Sequence, residues 1–220
     1  MGKKDSLMAY WQESGVVHDS RILKAFAEIP REIFVAPQVA EFAYEDHPLP
    51  TIRGQSLSQP TTAMIMTQAL DVQPGQKVFE VGAGVGYQAC LLSALAGKKG
   101  KVISTEVIPE LVQVAKYNVE KLRLPNVEIL EADCSRGVPE QAPFDRIIIT
   151  AACRGIPPPL IEQTKIGGII VAPVGDKHEQ VMVKAIRTAK GLELEFLGPF
   201  VFVPLQGKYG FETEDKIDVG

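Results

Sequence analysis

The chain has 220 residues, of which 45% are hydrophobic, which is enough to bury one core, so we expect a single domain spanning residues 1–220. A net charge of -4 and a sequence pI of about 5.5 argue against a main role in binding nucleic acid or anionic membranes. Three widely spaced cysteines without a CxxC pair, three scattered histidines and no signal-like or membrane-spanning apolar segment predict a cytoplasmic protein with reduced thiols and no metal site.

The first third of the chain predicts short helices followed by a packed loop. A first helix carries Trp11, and a second helix begins near Ser20, which can cap it, and ends before Pro30. Residues 36–60 contain four prolines and are expected to be mostly irregular. The apolar side chains in this segment predict that it packs on the domain, and a long ordered loop of this kind is usually functional.

The segment 54–62, GQSLSQPTT, places many hydroxyl and amide side chains directly before an apolar helical run. Pro60 suits the first turn of a helix, and Ser58 or Thr61 could cap it. A cap needs one side chain, whereas six hydroxyl or amide side chains lie in this segment. The surplus indicates a use beyond capping.

Beyond residue 75 the chain alternates between strands and helices. Strands are predicted at 77–82, 101–106, 126–130 and 144–150, with helices at 87–96 and from Pro109 onward. Continuous apolar strands between helices indicate an α/β fold with a parallel sheet covered on both faces. The last third contains three strand-like runs, at 167–175, 180–188 and 192–198, without a long helix between them, which predicts antiparallel hairpins that complete the sheet.

A glycine loop, VFEVGAGVGYQA, joins the first of these strands to its helix. Gly82, Gly84 and Gly86 allow a sharp turn and close approach to a ligand, next to the unpaired N–H groups of a helix N-terminus. Glu106 ends the next strand about 20 residues on, where an acidic residue typically binds the hydroxyls of a ribose. The sequence therefore predicts a nucleotide-like cofactor at this loop.

Two cofactors fit the loop. From Gly84 onward, GVGYQA matches the dinucleotide pattern and supports NAD, whereas EVGAGVG from Glu80 matches the pattern of S-adenosylmethionine enzymes. A carboxylate at the strand tip would repel a pyrophosphate but is compatible with an ammonium and a sulfonium, which favours S-adenosylmethionine. Asp133 follows the third strand, at the edge where ligands bind, and could accept a hydrogen bond from adenine.

At this point the sequence resembles the protein-L-isoaspartate O-methyltransferases, which are class I S-adenosylmethionine-dependent methyltransferases. The similar segments run from about Ile29 to Phe211 and occur in the family's order. They are AYEDHPLP, GQSLSQP, VFEVGAGVGYQAC, APFDRIIITAA, GGIIVAPVG and FVPLQGKYGF. The SQP after Gly-Gln and the closing VPL are specific to this group among methyltransferases.

The resemblance implies a doubly wound, mostly parallel seven-stranded sheet, with residues 1–60 as a helical and loop extension that covers the substrate side and residues 61–220 as the cofactor-binding core. It implies Ser58 as the catalytic residue. It also implies substrate contacts at Ser56, Ser58, Val203 and Leu205, and no metal. The cofactor contacts that we expect are Gln55, Ser56, Leu57, Ser58, Glu80, Gly82, Gly84, Gly86, Glu106, Val107, Asp133 and Cys134.

The implied reaction moves a methyl group from S-adenosylmethionine to the α-carboxylate of an L-isoaspartyl residue and leaves S-adenosylhomocysteine. The partners would be damaged proteins and peptides, with no nucleic acid or membrane, and the protein would be a monomer. Ile52-Arg53, Ser56, Val85 and Cys134 depart from the family's usual residues. The alternatives are the same chemistry on one dedicated peptide, an NAD-dependent oxidoreductase, or a non-catalytic S-adenosylmethionine-binding module.

Overall fold

The N-terminal third forms the short helices that the sequence predicts and, within the segment expected to be irregular, a small hairpin. Its elements are α1 (Lys3–Glu13), α2 (Ser20–Glu28), β1 (Leu49–Pro50), β2 (Ser56–Leu57) and α3 (Pro60–Leu70). Ser20 is the first residue of α2 rather than its cap. The cap is Asp19, whose extended backbone lets its carboxylate accept a hydrogen bond from the Arg21 N–H at 2.8 Å.

The irregular segment between α2 and α3 packs closely on the helices. Its 3-10 turns at Arg31–Phe34 and Pro37–Phe42 surround an aromatic cluster. The ring of Phe26 packs edge-on against Trp11, with centroids 4.7 Å apart, and against Tyr44 at 5.9 Å. Buried aromatic area of this kind stabilises a segment that has little regular hydrogen bonding of its own.

A seven-stranded sheet organises residues 2–212, which are the residues that this computed structural model describes. Its strands are β3 (Lys77–Val81), β4 (Lys101–Glu106), β5 (Val127–Glu131), β6 (Phe144–Ile149), β7 (Thr164–Gly175), β8 (Gln180–Thr188) and β9 (Gly191–Phe200). The spatial order is β5-β4-β3-β6-β7-β8-β9. All neighbours are parallel except the β7–β8 and β8–β9 pairs, so the predicted parallel sheet with an antiparallel ending is confirmed.

Helices and loops cover both faces of the sheet. The remaining helices are α4 (Tyr87–Ala96), α5 (Pro109–Lys121) and α6 (Pro158–Gln163). One core cluster contains the apolar side chains of α1 to α5, and a second cluster on the other face contains Leu160 of α6. α6 is not among the helices predicted from the sequence, because three consecutive prolines signal a loop, yet proline is tolerated in a first helical turn.

The chain order of the strands creates a crevice at the carboxyl edge of the sheet. From β3 the chain builds outward through β4 to β5, and it then returns to place β6 on the opposite side of β3. The connections after β3 and β6 therefore diverge, and ligands of open α/β sheets bind at such a switch point.

Candidate active site

A cavity of about 880 Å³, counted with its open mouth, lies at this carboxyl edge. It is lined by all but two of the predicted site residues. Those that line it are Gln55, Ser56, Leu57, Ser58, Glu80, Gly82, Gly84, Glu106, Val107, Cys134, Val203 and Leu205.

Gly84 and Gly86 are required for different reasons, one for access of a ligand and the other for packing inside the protein. Gly84 has a φ of 53°, and a side chain at this position would meet no atom within 4 Å, so the loop backbone is open to a ligand there. Gly86 does not line the cavity. Its φ is 90°, and a Cβ would lie 3.2 Å from the Ala115 Cα, so Gly86 permits the close packing of the loop on α5.

Glu106 is buried and fixes the loop around it. Its Oε2 accepts a hydrogen bond from the Gly84 N–H at 2.9 Å, and its Oε1 accepts from the N–H groups of Val107 and Ile108 at 2.8 and 3.0 Å. A carboxylate has about four acceptor sites, so one site on Oε2 stays available. The ribose contact expected of Glu106 therefore remains compatible with its structural bonds.

Glu80 lies inside β3 rather than at the strand tip, with Ser104 of β4 beside it. It is completely buried, and Ser104 Oγ donates a hydrogen bond to its Oε2. Burial raises the pKa of Glu80 to about 8, with a smaller raising effect from Glu106, and the hydrogen bond from Ser104 opposes both. Its Oε1 has no hydrogen-bond partner and belongs to a cavity-lining side chain, so a cationic group in the cavity would satisfy it.

In the hydroxyl-rich segment 54–62, some side-chain hydroxyls form hydrogen bonds within the protein and others do not. Thr61 Oγ1 accepts from Trp11 Nε1 and donates to Asp46 Oδ2, both at 2.8 Å, and Asp46 Oδ1 accepts from the Thr61 N–H. Asp46 thus caps α3 from a distant loop, and the expected cap by Ser58 or Thr61 is wrong. The hydroxyls of Ser56 and Ser58 bond to no other described residue, and both side chains line the cavity.

Asp133 is the second predicted site residue that does not line the cavity. Its Oδ1 accepts from the Ser135 N–H and hydroxyl, at 3.0 and 2.6 Å, and its Oδ2 accepts from Arg136 Nε and the Lys208 N–H. Burial acts to raise the pKa of this carboxyl, but these hydrogen bonds outweigh it and the pKa is lowered. With four donors already bound, Asp133 has no free acceptor for adenine and instead anchors the C-terminal segment.

The substrate-side residues come from that C-terminal segment. Ala152 donates its N–H to the Val203 carbonyl and accepts from the Leu205 N–H, both at 2.8 Å. This pairing holds Val203 and Leu205 at the cavity beside the end of β6. The sequence analysis missed further lining residues, namely Ala63, Met66, Ala83, Val85, Tyr87, Gln88, Ile108, Leu111, Thr150, Ala151, Pro204 and Gln206.

The position of Thr150 could have been predicted. It follows β6 directly, and the residue after a strand beside a switch point is a candidate for ligand contact. Its Oγ1 donates a hydrogen bond to backbone carbonyls of the glycine loop, at 2.9 Å to Val81 and 2.7 Å to Gly82. The other missed residues give no such signal, because their approach depends on tertiary packing.

Within residues 2–212, no group of three or more His, Cys, Asp or Glu side chains is placed to hold a metal ion. None of the helices in this range combines the length and the apolar character needed to cross a bilayer.

The family model and the related sequences that match this chain all carry the same family description. The family model described as protein-L-isoaspartate(D-aspartate) O-methyltransferase matches residues 2–210. A protein-L-isoaspartate O-methyltransferase of Ruegeria pomeroyi is 46% identical over 190 residues, covering 86% of this chain and 87% of that protein. Its namesake in Methanopyrus kandleri is 40% identical over 215 residues, covering 97% of this chain and 95% of that protein.

Solved structures agree with the sequence comparison. A protein-L-isoaspartate O-methyltransferase superposes with a TM-score of 0.84 at 30% identity, covering 94% of this chain and 67% of that one. A Plasmodium falciparum protein described as a putative member, solved with S-adenosyl-L-homocysteine, shares the fold with a TM-score of 0.82 at 20% identity, covering 94% of this chain and all of that one. These comparisons do not support the NAD-dependent oxidoreductase. This chain belongs to the protein-L-isoaspartate (D-aspartate) O-methyltransferase family.

Proposed function

We propose that this protein transfers a methyl group from S-adenosylmethionine to the α-carboxylate of L-isoaspartyl residues in damaged proteins and peptides, as a repair reaction. The observation that carries the proposal is the meeting of two features in one cavity. The cavity is lined by the glycine loop with Glu80 and Glu106, and also by Ser56 and Ser58, whose hydroxyls bond to no other described residue.

The residues of the loop fit the donor. Glu80 Oε1 lacks a hydrogen-bond partner and suits an ammonium group, and the remaining acceptor site of Glu106 suits a ribose hydroxyl. Gln55, Leu57, Val107 and Cys134 would complete the contacts, with Cys134 acting through its backbone, and the product S-adenosylhomocysteine would use the same residues. When bound, S-adenosylmethionine supplies an activated methyl group on a sulfonium.

The chain's own residues act by orientation and by exclusion of water. A substrate α-carboxyl with a reference pKa of about 3.5 is ionised at neutral pH, so no general base is required. No histidine is found among the described residues that line the cavity. Ser56 and Ser58 would donate hydrogen bonds that fix the carboxylate, and apolar neighbours such as Leu57, Met66 and Leu205 would reduce its hydration.

The proposal also covers the cellular location of the protein, its oligomeric state and its partners. We place the protein in the cytoplasm, because its three cysteines are all buried and free, as is usual in a reducing compartment. We expect a monomer that acts on isoaspartyl proteins and peptides without nucleic acid, membrane or metal. Residues 1–60 would serve as the substrate-side cover and residues 61–220 as the cofactor-binding core.

A second candidate keeps the chemistry but restricts it to one dedicated peptide. It is favoured by the segment before the active-site serines, where Ile52 is 44% exposed and Arg53 has a left-handed backbone with a φ of 57°. A non-catalytic binding module is disfavoured, because binding the cofactor alone does not require the unbonded hydroxyls of Ser56 and Ser58 at the cavity.

A panel of unrelated isoaspartyl peptides tests the range of substrates. Initial rates of methyl transfer should be measured with labelled S-adenosylmethionine on at least several sequences that share only the isoaspartyl residue. Rates within about tenfold of one another support repair. Transfer to a single sequence would establish the dedicated enzyme instead, and a parallel melt with S-adenosylhomocysteine confirms that each preparation binds its cofactor.

A further inference from the structure

Arg31 is a fully buried arginine directly behind the proposed active-site serine. Its Nε donates to the Ala43 carbonyl at 2.7 Å, and its Nη2 donates to the carbonyl of Ser58. Its guanidinium carbon lies 4.9 Å from the centroid of the Tyr87 ring, and Tyr87 lines the cavity. Its Nη1 is buried without a hydrogen-bond partner.

The guanidinium of Arg31 has no direct ion-pair partner. No carboxylate of the described residues lies within ion-pair distance of it, and the charge of Asp46 favours its ionised form only from farther away. Glu32 accepts a hydrogen bond from the Tyr44 hydroxyl, and Asp46 caps α3 through Thr61. A buried charge is costly unless it is paired, so an arginine bound only by carbonyl dipoles and an aromatic face is unusual.

The other buried arginine of the sheet makes the contrast clear. Arg146 is 8% exposed, donates to the carbonyls of Asp71 and Asp145 at 3.0 Å each, and lies 3.8 Å from a carboxylate oxygen of Asp71. It is on β6 at the end of the sheet away from the cavity. Arg146 is therefore close to a carboxylate and remote from the cavity, whereas Arg31 has no ion-pair partner and is adjacent to Ser58.

We propose that Arg31 is a positioning residue for the substrate carboxylate, fixing the Ser58 backbone through its carbonyl and favouring an anion beside the Ser58 hydroxyl through its buried positive charge, which forms no ion pair. This inference rests on the proposed function. In a site that excludes water, an unscreened charge acts over a longer distance than it does at the surface. Arg31 would thus select substrates that carry a free, ionised α-carboxyl.

A purely structural role predicts a different outcome. If Arg31 only supports the loop, its removal should weaken every peptide alike, because a displaced Ser58 binds charged and neutral ligands equally badly. If its charge matters, the loss should fall on the charged peptide alone. The ratio of the two affinities therefore separates the roles.

The test compares two peptides that differ in one group, an isoaspartyl peptide with its α-carboxylate and the same peptide with an α-carboxamide. Their affinities for the protein saturated with S-adenosylhomocysteine are measured by calorimetry. The wild-type protein should prefer the carboxylate by about tenfold or more, which corresponds to roughly 1.4 kcal/mol. Arg31→Met and Arg31→Gln should abolish most of this preference, while Arg31→Lys and the control Arg146→Met should retain it.

Two outcomes would overturn the inference. One is an equal loss of affinity for both peptides in the neutral variants, with their ratio unchanged. The other is a wild-type protein that binds the carboxamide as tightly as the carboxylate, a result that stands even if the neutral variants fail to fold. Failure of the proposed function itself looks different, because then the wild-type protein binds neither peptide and methylates neither.

Discussion

Within the segment 54–62, two hydroxyls of similar chemistry have opposite roles. Thr61 is bonded to Trp11 and Asp46, whereas Ser58 bonds to no side chain and lines the cavity. The sequence showed that this segment has more hydroxyls than a cap requires, but it could not assign them. The two partners of Thr61 lie 50 and 15 residues away in the chain, so the role of each hydroxyl depends on tertiary contacts.

Replacing Ser58 tests its role in orienting the substrate. Ser58→Ala should lower kcat on an isoaspartyl peptide by tenfold to several hundredfold, on the order of one oriented hydrogen bond to a charged group. The affinity for S-adenosylhomocysteine should change little. Steady-state kinetics beside a thermal melt provides the measurement.

Thr61→Ala is the matched control for this prediction. It removes a hydroxyl of the same segment that is used for structure, so it should lower the melting temperature, by a loss of about 1 kcal/mol, and leave kcat nearly unchanged. If Ser58→Ala instead behaved like Thr61→Ala, with wild-type kcat and a lower melting point, Ser58 would be a structural residue.

Glu80 should make the stability of the cofactor-free protein dependent on pH. Its pKa is raised to about 8 in the folded protein from an ordinary value of 4.5, so the folded state binds its proton more tightly than the unfolded state does. Its contribution to stability is then full below pH 4.5 and is lost as the pH rises toward 8. Glu80→Gln should remove this dependence, because the amide keeps the shape and does not ionise.

The difference in the free energy of unfolding between wild type and Glu80→Gln is measured by urea unfolding between pH 5 and pH 8, in steps of about one pH unit. The free energy of unfolding of the wild type should fall relative to that of Glu80→Gln across this range. Parallel profiles would show that Glu80 is ionised in the folded protein throughout, in conflict with its burial and its unpartnered oxygen.

At the scale of elements, periodicity and turn residues predicted most of the sheet. The helix 87–96 and the strands 101–106 and 180–188 have the predicted bounds, because apolar runs there are flanked by clear turn signals. Asp133 shows where such reasoning ends. Its place after β5 suggested a ligand contact, but the segment containing Lys208 folds back and binds it. Lys208 lies 75 residues further along the chain, so local sequence patterns could not reveal this contact.

Arg53 and Glu110 link the chain just before the cavity-lining segment 55–58 to α5, whose Leu111 lines the cavity. Arg53, in its left-handed turn before the segment 55–58, forms an ion pair with Glu110 in the first turn of α5. Both side chains are largely exposed, at 63% and 46%, so solvent screens the pair and its contribution should be small. Glu110→Gln should therefore weaken S-adenosylhomocysteine binding by up to about fivefold at low salt.

Salt provides the internal check of this prediction. The difference between Glu110→Gln and wild type should disappear near 1 M salt, where exposed charges are screened. Glu120→Gln, on the same helix but at its far end, should match the wild type at every salt concentration. Equal affinities of Glu110→Gln and wild type at low salt would mean that the ion pair does not contribute to cofactor binding.

At the scale of the whole molecule, the family resemblance predicted more than local patterns could. Periodicity alone indicated a covered parallel sheet, whereas the cavity joins residues 55–58, the glycine loop and residues 203–206, which are far apart in the chain. Only the resemblance related these segments to one another before the structure did. The side chains of α1 to α3 also share one core cluster with α4 and α5, as expected of a single domain.

The expected monomer remains a prediction at this scale. The edge strand β9 exposes the apolar side chains of Leu194 and Phe196, at 51% and 67%. The same strand carries Glu193, Glu195 and Pro199, and charges and proline on an edge strand oppose pairing with another sheet.

The central claim is most directly tested by methyl transfer from labelled S-adenosylmethionine to a synthetic isoaspartyl peptide, with the normal aspartyl peptide of the same sequence as control. The two peptides have the same composition and charge and differ only in the connection of one residue. We predict transfer to the isoaspartyl peptide and essentially none to the aspartyl peptide. Equal transfer to both, or transfer to neither by a protein that binds S-adenosylhomocysteine, would contradict the claim.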